Sequence, residues 1–169
     1  MDMGGHCIDL LETFLGRVRR VACFARNLVH PYKSEDTATV MAEFDSGAIG
    51  FVDSCFNIPD RASLNRLELY GSAGSILAEG TIGQGAGGTM TVRTDSQSGY
   101  QAGQARRLTE GVPVEAPAVN LYRAQIEDVN AAIREDREPA CNGEAGLWSQ
   151  KVLAACYAAS KAGSAMPVA

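Results

Sequence analysis

The chain has 169 residues, 46% of them hydrophobic, and carries 15 basic and 20 acidic side chains for a formal charge of −5. That apolar content suffices for one ordinary core without disulfides or metal, while an acidic balance with no basic run argues against nucleic acid as a partner. No apolar stretch approaches the ~20 residues of a membrane span, and the first residues do not form a signal peptide.

Residues 2 to 15 read as an amphipathic helix. At about 100° per residue, Asp2, His6, Asp9 and Thr13 fall on one side, and Cys7, Ile8, Leu11, Phe14 and Leu15 on the other. His6 therefore faces away from the stripe that seeks the core. Two readings of its face stay open. In one, Asp2 is an N-cap, Asp9 a solvated carboxylate and His6 an exposed polar residue. In the other, Asp2 and His6 form an acid/base pair. Asp2, one turn earlier, accepts from one ring nitrogen and fixes the tautomer, leaving the other nitrogen to exchange a substrate proton. Cys7 points about 100° away, onto the apolar arc, which sets it apart from His6 as a metal ligand or nucleophile.

Gly16 closes this helix, and Val18 to Arg26 reads as a strand rich in β-branched and aromatic residues. His30, before Pro31, sits in a loop. Residues 36 to 44 and 48 to 57 alternate around Asp45-Ser46-Gly47, a hairpin with glycine where positive φ is needed. Residues 64 to 70, 75 to 78 and 89 to 93 supply further strands joined by short turns, so the pairing is expected to be mostly antiparallel. The stretch from 95 to 117 is polar and proline-interrupted, and reads mainly as loop with edge-strand pieces. Gly83-Gln84-Gly85-Ala86-Gly87-Gly88 matches Gly-x-Gly-x-x-Gly, but Thr89 to Arg93 after it favours a strand, and no βαβ unit surrounds it. It reads as a loop between strands.

Two helices close the chain. Tyr122, Ile126, Val129 and Ile133 line one face of the first, which Pro139 stops. Trp148, Val152, Ala155, Cys156 and Ala159 share a face of the second, with Asn142 as cap and Gly163 as C-terminal stop. Both apolar stripes are expected in the core. The five cysteines, Cys7, Cys23, Cys55, Cys141 and Cys156, are scattered without a Cys-x-x-Cys pair, as reduced thiols of a cytoplasmic protein would be, and no metal site is expected. The fold class is α+β: a mostly antiparallel open sheet with helices packed on one face.

The pattern Asp-x-x-x-His-x-x-Asp-Leu-Leu, here Asp2, His6, Asp9, Leu10 and Leu11, resembles the opening of the C-terminal domain of the Gfo/Idh/MocA oxidoreductases. The resemblance continues through Glu35-Asp36-Thr37-Ala38, Phe44-Asp45-Ser46-Gly47-Ala48, the stretch from Leu67 to Ser75 and that from Val152 to Gly163. It implies one substrate-binding and oligomerisation domain over residues 1–169, the C-terminal domain of a longer NAD(P)-dependent dehydrogenase acting on a sugar, polyol or related compound. Complete members begin with a Rossmann domain followed by a Glu-Lys-Pro segment. None of the three lysines here, Lys33, Lys151 and Lys161, is preceded by Glu and followed by Pro.

By the same resemblance His6 is the group that takes or returns the hydroxyl proton, Asp2 orients it or binds a neighbouring hydroxyl, and Asp9 is structural. NAD or NADP belongs to the full-length enzyme, and none is expected to bind this chain. The family often pairs subunits through the open face of the sheet. Residues such as Val40, Ala42, Phe44 and Phe51 are expected to make that face apolar, giving a homodimer or homotetramer. The alternative is a stand-alone assembly or ligand-binding module of the same fold.

Overall fold

The computed structural model describes residues 2–83, 85, 87–95 and 109–169, with the side chain of Asp2 excepted. The expected loop around 95–117 lies largely outside the described residues, as do Gln84 and Ala86 of the glycine-rich stretch. The chain divides into two compact units, residues 1–62 with 138–169, and residues 63–137. The architecture is α+β, with helices and two open antiparallel sheets of four strands each.

The first unit contains α1 (Asp2–Leu15), β1 (Val18–Arg26), β2 (Thr37–Phe44) and β3 (Ile49–Cys55). Its sheet runs β3-β2-β1 and ends on a two-residue strand, Met166–Pro167, that pairs with β1. Alternation along β2 buries Ala38, Val40, Ala42 and Phe44, and Val52 of β3 lies opposite Val40 on the same face. In β1 the register shifts between Val18 and Arg20, so Val18 and Val21, three residues apart, are both buried. An extra residue in one strand explains that spacing, which strict alternation does not allow.

Two helices cover this face. Ile8 and Leu11 of α1 are buried over it, as are Val152, Ala155, Cys156 and Ala159 of a long helix, Gly143–Ala162, which packs on β1. Asn142 caps that helix by accepting from Ala145 N at 3.0 Å, and Gly163 ends it in the left-handed conformation, as the sequence predicts. The β2–β3 turn places Gly47 at φ +83° with its N–H donating to Phe44 O. Phe14 departs from its expected place on the buried stripe and is exposed, in the helix's last turn.

The uncovered face differs in composition from the sequence expectation. Val40, Ala42 and Phe44 point under the helices, because Phe51 pairs with Met41, not with Val40. The open face carries Phe24, Met41, Ile49 and Phe51, all more than half exposed. It is apolar, but only Phe51 of the four expected residues belongs to it.

In the second unit, β4 (Arg66–Gly71), β5 (Gly74–Glu79) and β6 (Thr89–Thr94) form a meander, with β7 (Val112–Pro113) on its edge. Gly74, at φ +153°, allows the backbone of β5 to pass Arg93 O where a Cβ would collide. α2 (Leu121–Glu135) is capped by Asn120 and ends at Asp136 in the left-handed conformation, three residues before Pro139. Its stripe of Tyr122, Ile126, Val129 and Ile133 is exposed, and Ala132 is its buried residue. The expectation of a core stripe is therefore corrected: a 3.6-residue period determines which side chains share a face, not whether a partner meets it.

Candidate active-site face

The motif helix α1 is anchored from its buried side. Glu12 Oε1 accepts from Val18 N and from Trp148 Nε1, both at 2.9 Å, so one carboxylate ties α1 to the start of β1 and to α3, as the helix Gly143–Ala162 is now termed. The guanidinium of Arg17 lies over the Trp148 ring, 4.7 Å from its centroid, and bonds Glu144 at 2.6 Å. Further along, Ser149 Oγ donates to Asp9 Oδ1 at 3.4 Å, and Leu153 Cδ1 lies 3.5 Å from where a Cβ on Gly5 would stand. Descending numbers on α1 meet ascending numbers on α3, so the two helices run antiparallel.

His6 projects from this anchored helix and is exposed. Among the described residues, none bonds to its ring. Asp2 lies one turn earlier in the same helix, but its side chain is outside the described set. Asp9 is exposed and bonded to α3, the arrangement of a carboxylate that steadies the helix pair. Cys7 is half-buried, and burial pushes its thiol up, away from the thiolate form a nucleophile or ligand needs.

A second polar assembly, built on the Glu35-Asp36-Thr37-Ala38 stretch, which was assigned no site role from the sequence, lies between β1 and β2. Asp36 is 1% exposed and accepts from the backbone N–H groups of Leu28, Val29 and His30 at 2.8–3.1 Å, and from Thr37 Oγ1 and Asn57 Nδ2. Burial alone would raise its carboxyl. The N–H groups of His30, Val29 and Leu28 and the amide of Asn57 outweigh that and hold it well below the usual carboxylate range. His30 is a loop residue, as expected: it stacks on Tyr32 and its Nε2 lies 3.2 Å from Phe56 O. The sequence signal for this assembly was an acidic residue directly before a strand and after a proline-containing loop, where a carboxylate meets orphan backbone donors.

Beside Asp36, a cleft of about 330 Å³ opens between the 32–37 segment, the end of β3 and α3. Tyr157 Oη donates to Glu35 Oε1 at 2.7 Å across its edge. Burial and the Glu35 carboxylate together push the Tyr157 phenol up to about 12.

The described residues hold no group of three or more His, Cys, Asp or Glu side chains placed for a metal ion. The glycine-rich stretch joins β5 to β6, which are antiparallel neighbours, and no helix begins after it. A dinucleotide pyrophosphate needs a strand, a glycine turn and a helix N-terminus in succession. Among the described residues, the glycine-rich stretch does not offer that succession.

The first unit is thus an open antiparallel sheet covered on one face by a helix pair, with an exposed histidine on the first helix. The family model for the oxidoreductase family, C-terminal alpha/beta domain, matches residues 1–169, and the chain belongs to the Gfo/Idh/MocA family through that domain. Over 96% of its length it is 25% identical to the D-apiose dehydrogenase of Paraburkholderia graminis, of which it covers 42%.

Two solved structures share the fold. The aldose-aldose oxidoreductase from Caulobacter crescentus, complexed with glycerol, superposes with a TM-score of 0.77 at 20% identity, over 97% of this chain and 45% of that one. A levoglucosan dehydrogenase in complex with NADH gives 0.78 at 19% identity, over 99% and 49%. The chain thus spans less than half the length of these relatives.

Proposed function

We propose that this chain, as one domain over residues 1–169, is the substrate-binding and oligomerisation part of an NAD(P)-dependent oxidoreductase that acts on a sugar, a polyol or a related hydroxyl or carbonyl compound. The observation that carries the reading is the exposed His6 on a helix fixed to the core by Glu12 and Asp9, within a match to the family's C-terminal domain over the whole chain. D-apiose and levoglucosan dehydrogenases among the relatives support the substrate class.

The chemistry assigned to this chain is proton transfer. In oxidation of a secondary alcohol, one ring nitrogen of His6 takes the hydroxyl proton. In reduction of the carbonyl, the same nitrogen returns it. Asp2, one turn earlier on the helix, orients the imidazole or binds a neighbouring hydroxyl. NAD or NADP is used by the longer enzyme, and the chemistry assigned to this chain is limited to binding and proton transfer. A cytoplasmic location accords with five cysteines that are all free thiols.

Oligomerisation through the open sheet face is the accompanying proposal, with a second copy of the chain as the occupant. Ala22, Met41 and Phe51 lie side by side across β1, β2 and β3, and Phe24 and Ile49 extend the patch. A two-fold contact would place the same patch against itself.

The test is expression of the complete coding frame that contains this chain, with NAD(P)-linked oxidation of D-apiose and levoglucosan as the first assays. His6→Ala should lower kcat by about 10²- to 10⁴-fold, the usual contribution of a positioned acid/base. Full turnover in that variant would end the assignment of His6. A protein that binds sugars but shows no NAD(P)-linked turnover would favour the stand-alone module.

A further inference from the structure

Two buried thiols of the first unit lie against each other. Cys23 of β1 is 5% exposed and Cys156 of α3 is 0% exposed, and the side chain of Cys156 hydrogen-bonds that of Cys23. We propose that Cys23 and Cys156 are a peroxide-responsive dithiol, which oxidation joins into a disulfide that clamps α3 onto β1.

The backbone around the pair fixes this approach. Ala25 N donates to Ser160 Oγ at 3.0 Å, which ties β1 to α3 just beyond the two thiols. From that bond, two residues back along the strand, about 6.6 Å, reach Cys23. Four residues back along the helix, about 6 Å, reach Cys156. Strand and helix therefore advance in step, and the sulfurs arrive at the same level. Cys23 shares the covered face of β1 with Val18 and Val21, and Cys156 shares the buried stripe of α3 with Val152, Ala155 and Ala159. A disulfide spans Cα atoms only about 4.4–6.8 Å apart, so it needs two packed elements held in register in this way. The remaining cysteines are placed differently: Cys55 lies 3.8 Å from Thr37 Oγ1, Cys141 is exposed between α2 and α3, and Cys7 is half-buried on α1.

The chemistry has a direction. The bond from Cys156 lowers the Cys23 thiol and outweighs its burial, while the same bond and its own burial push Cys156 up. Cys23 is therefore the attacking sulfur and Cys156 the resolving one. In the first step the Cys23 thiolate attacks one oxygen of hydrogen peroxide. The S–O bond forms, the O–O bond breaks, and the departing hydroxide takes up the proton that Cys23 gave up and leaves as water. In the second step Cys156 Sγ attacks Cys23 Sγ. The S–S bond forms, the S–O bond breaks, and hydroxide leaves with the Cys156 proton as a second water. The two thiols lose two electrons, and one peroxide is reduced to two waters. Hydrogen peroxide, little larger than water, suits a site whose burial excludes bulkier disulfides.

The cross-link closes a loop that contains β2 to β7 and α2, and long loops are where a disulfide removes most freedom from the unfolded chain. Since Trp148 and Ser149 hold α1 against α3, a clamp between α3 and β1 also steadies the support of the motif helix.

The test is treatment of this 169-residue chain with hydrogen peroxide, followed by alkylation in denaturant and peptide mass mapping without reductant. The expected product is a Cys23–Cys156 cross-linked peptide that dithiothreitol removes, in a protein that melts about 5–15 °C above its reduced form. Cys156→Ala should stop at the Cys23 sulfenic acid, trapped by dimedone, and Cys23→Ala should leave Cys156 unoxidised. The wild-type map and melt decide the matter even if a variant fails to fold. Cys23 and Cys156 both recovered in alkylated form while Cys55 or Cys141 is oxidised, or a cross-linked protein that melts no higher than the reduced one, would overturn the clamp. None of these outcomes depends on the role of His6.

Discussion

Trp148 Nε1 and Glu12 Oε1 are 2.9 Å apart, and the same carboxylate oxygen accepts from the backbone N–H of Val18 at 2.9 Å. A bond spanning 136 positions thereby shares its acceptor with the residue that starts β1. Removing the carboxylate leaves two part-buried donors without a partner. Glu12→Ala should therefore cost about 2–4 kcal/mol, since each orphaned donor is worth about 1–3 kcal/mol. Glu12→Gln, which keeps a carbonyl oxygen at the end of a side chain of the same length, should recover more than half of that. Urea denaturation of the two variants checks both; equal midpoints for Ala and Gln would show that the acceptor is not what matters.

Asp36 gives the fold an acid sensitivity with a definite sign. Its folded-state carboxyl is held below its unfolded value of about 3.9. The contribution is therefore complete above about pH 4 and is lost as the pH falls through the folded value. Asp36→Asn should be less stable at neutral pH and should show a flatter stability profile between about pH 5 and pH 2. An unchanged profile in thermal melts across that range would exclude Asp36 as the group responsible.

Gly50 and Phe44 are coupled through space. A Cβ at residue 50 would lie 2.7 Å from Phe44 Cε2 and 3.3 Å from Leu11 Cδ1. Phe44 is 1% exposed, so its ring has little room to yield. Gly50→Ala should cost about 1–3 kcal/mol through overpacking. In a Phe44→Leu background the cost should shrink, giving a favourable interaction term in the double-mutant cycle. Additive losses would mean that the ring moves aside freely.

Met41 and Phe51 are neighbours on the uncovered sheet face, both more than half exposed. If two copies meet there, Met41→Glu places like charges opposite one another in a dry contact and should shift sedimentation from dimer to monomer with little change in monomer stability. A wild-type chain that sediments as a monomer at high micromolar concentration would remove the basis for this pairing.

The glycine-rich stretch should not act as a nucleotide site. It connects antiparallel β5 and β6 and is followed by Thr89, the first residue of a strand. Titration of this chain with NADH, followed by fluorescence, is expected to show no saturable signal. Micromolar binding would contradict that assignment and point to residues 83–88 for mutation.

Local signals accounted for much of this in advance. The 100° period of residues 2 to 15 placed His6 outside and Ile8 and Leu11 inside; Asn142, Gly163 and Gly47 marked their caps and turn by their own conformational preferences. Alternation alone gave the wrong open face, because the pairing of Met41 with Phe51 depends on register, and a one-residue choice moves every side chain across the sheet. The β1 irregularity at Val18–Arg20 had the same origin. The Glu12–Trp148 bond was illegible because it joins groups whose proximity exists only after the chain has folded, whereas Asp36 left a weak local signal, an acidic residue between a proline-containing loop and a strand. The stripe of α2 failed for a different reason, since amphipathicity demands a partner without naming one.

The antiparallel seam between α1 and α3 makes two sequence-distant segments interdependent. The motif occupies the first ten residues, yet the surfaces that hold it, at Trp148, Ser149 and Leu153, belong to the last quarter of the chain. During synthesis, the histidine helix emerges well before the helix that supports it, with the whole of both sheets between them save the last two-residue strand. A truncation or frameshift after residue 140 would thus leave every residue of the motif encoded and still abolish the place where they work.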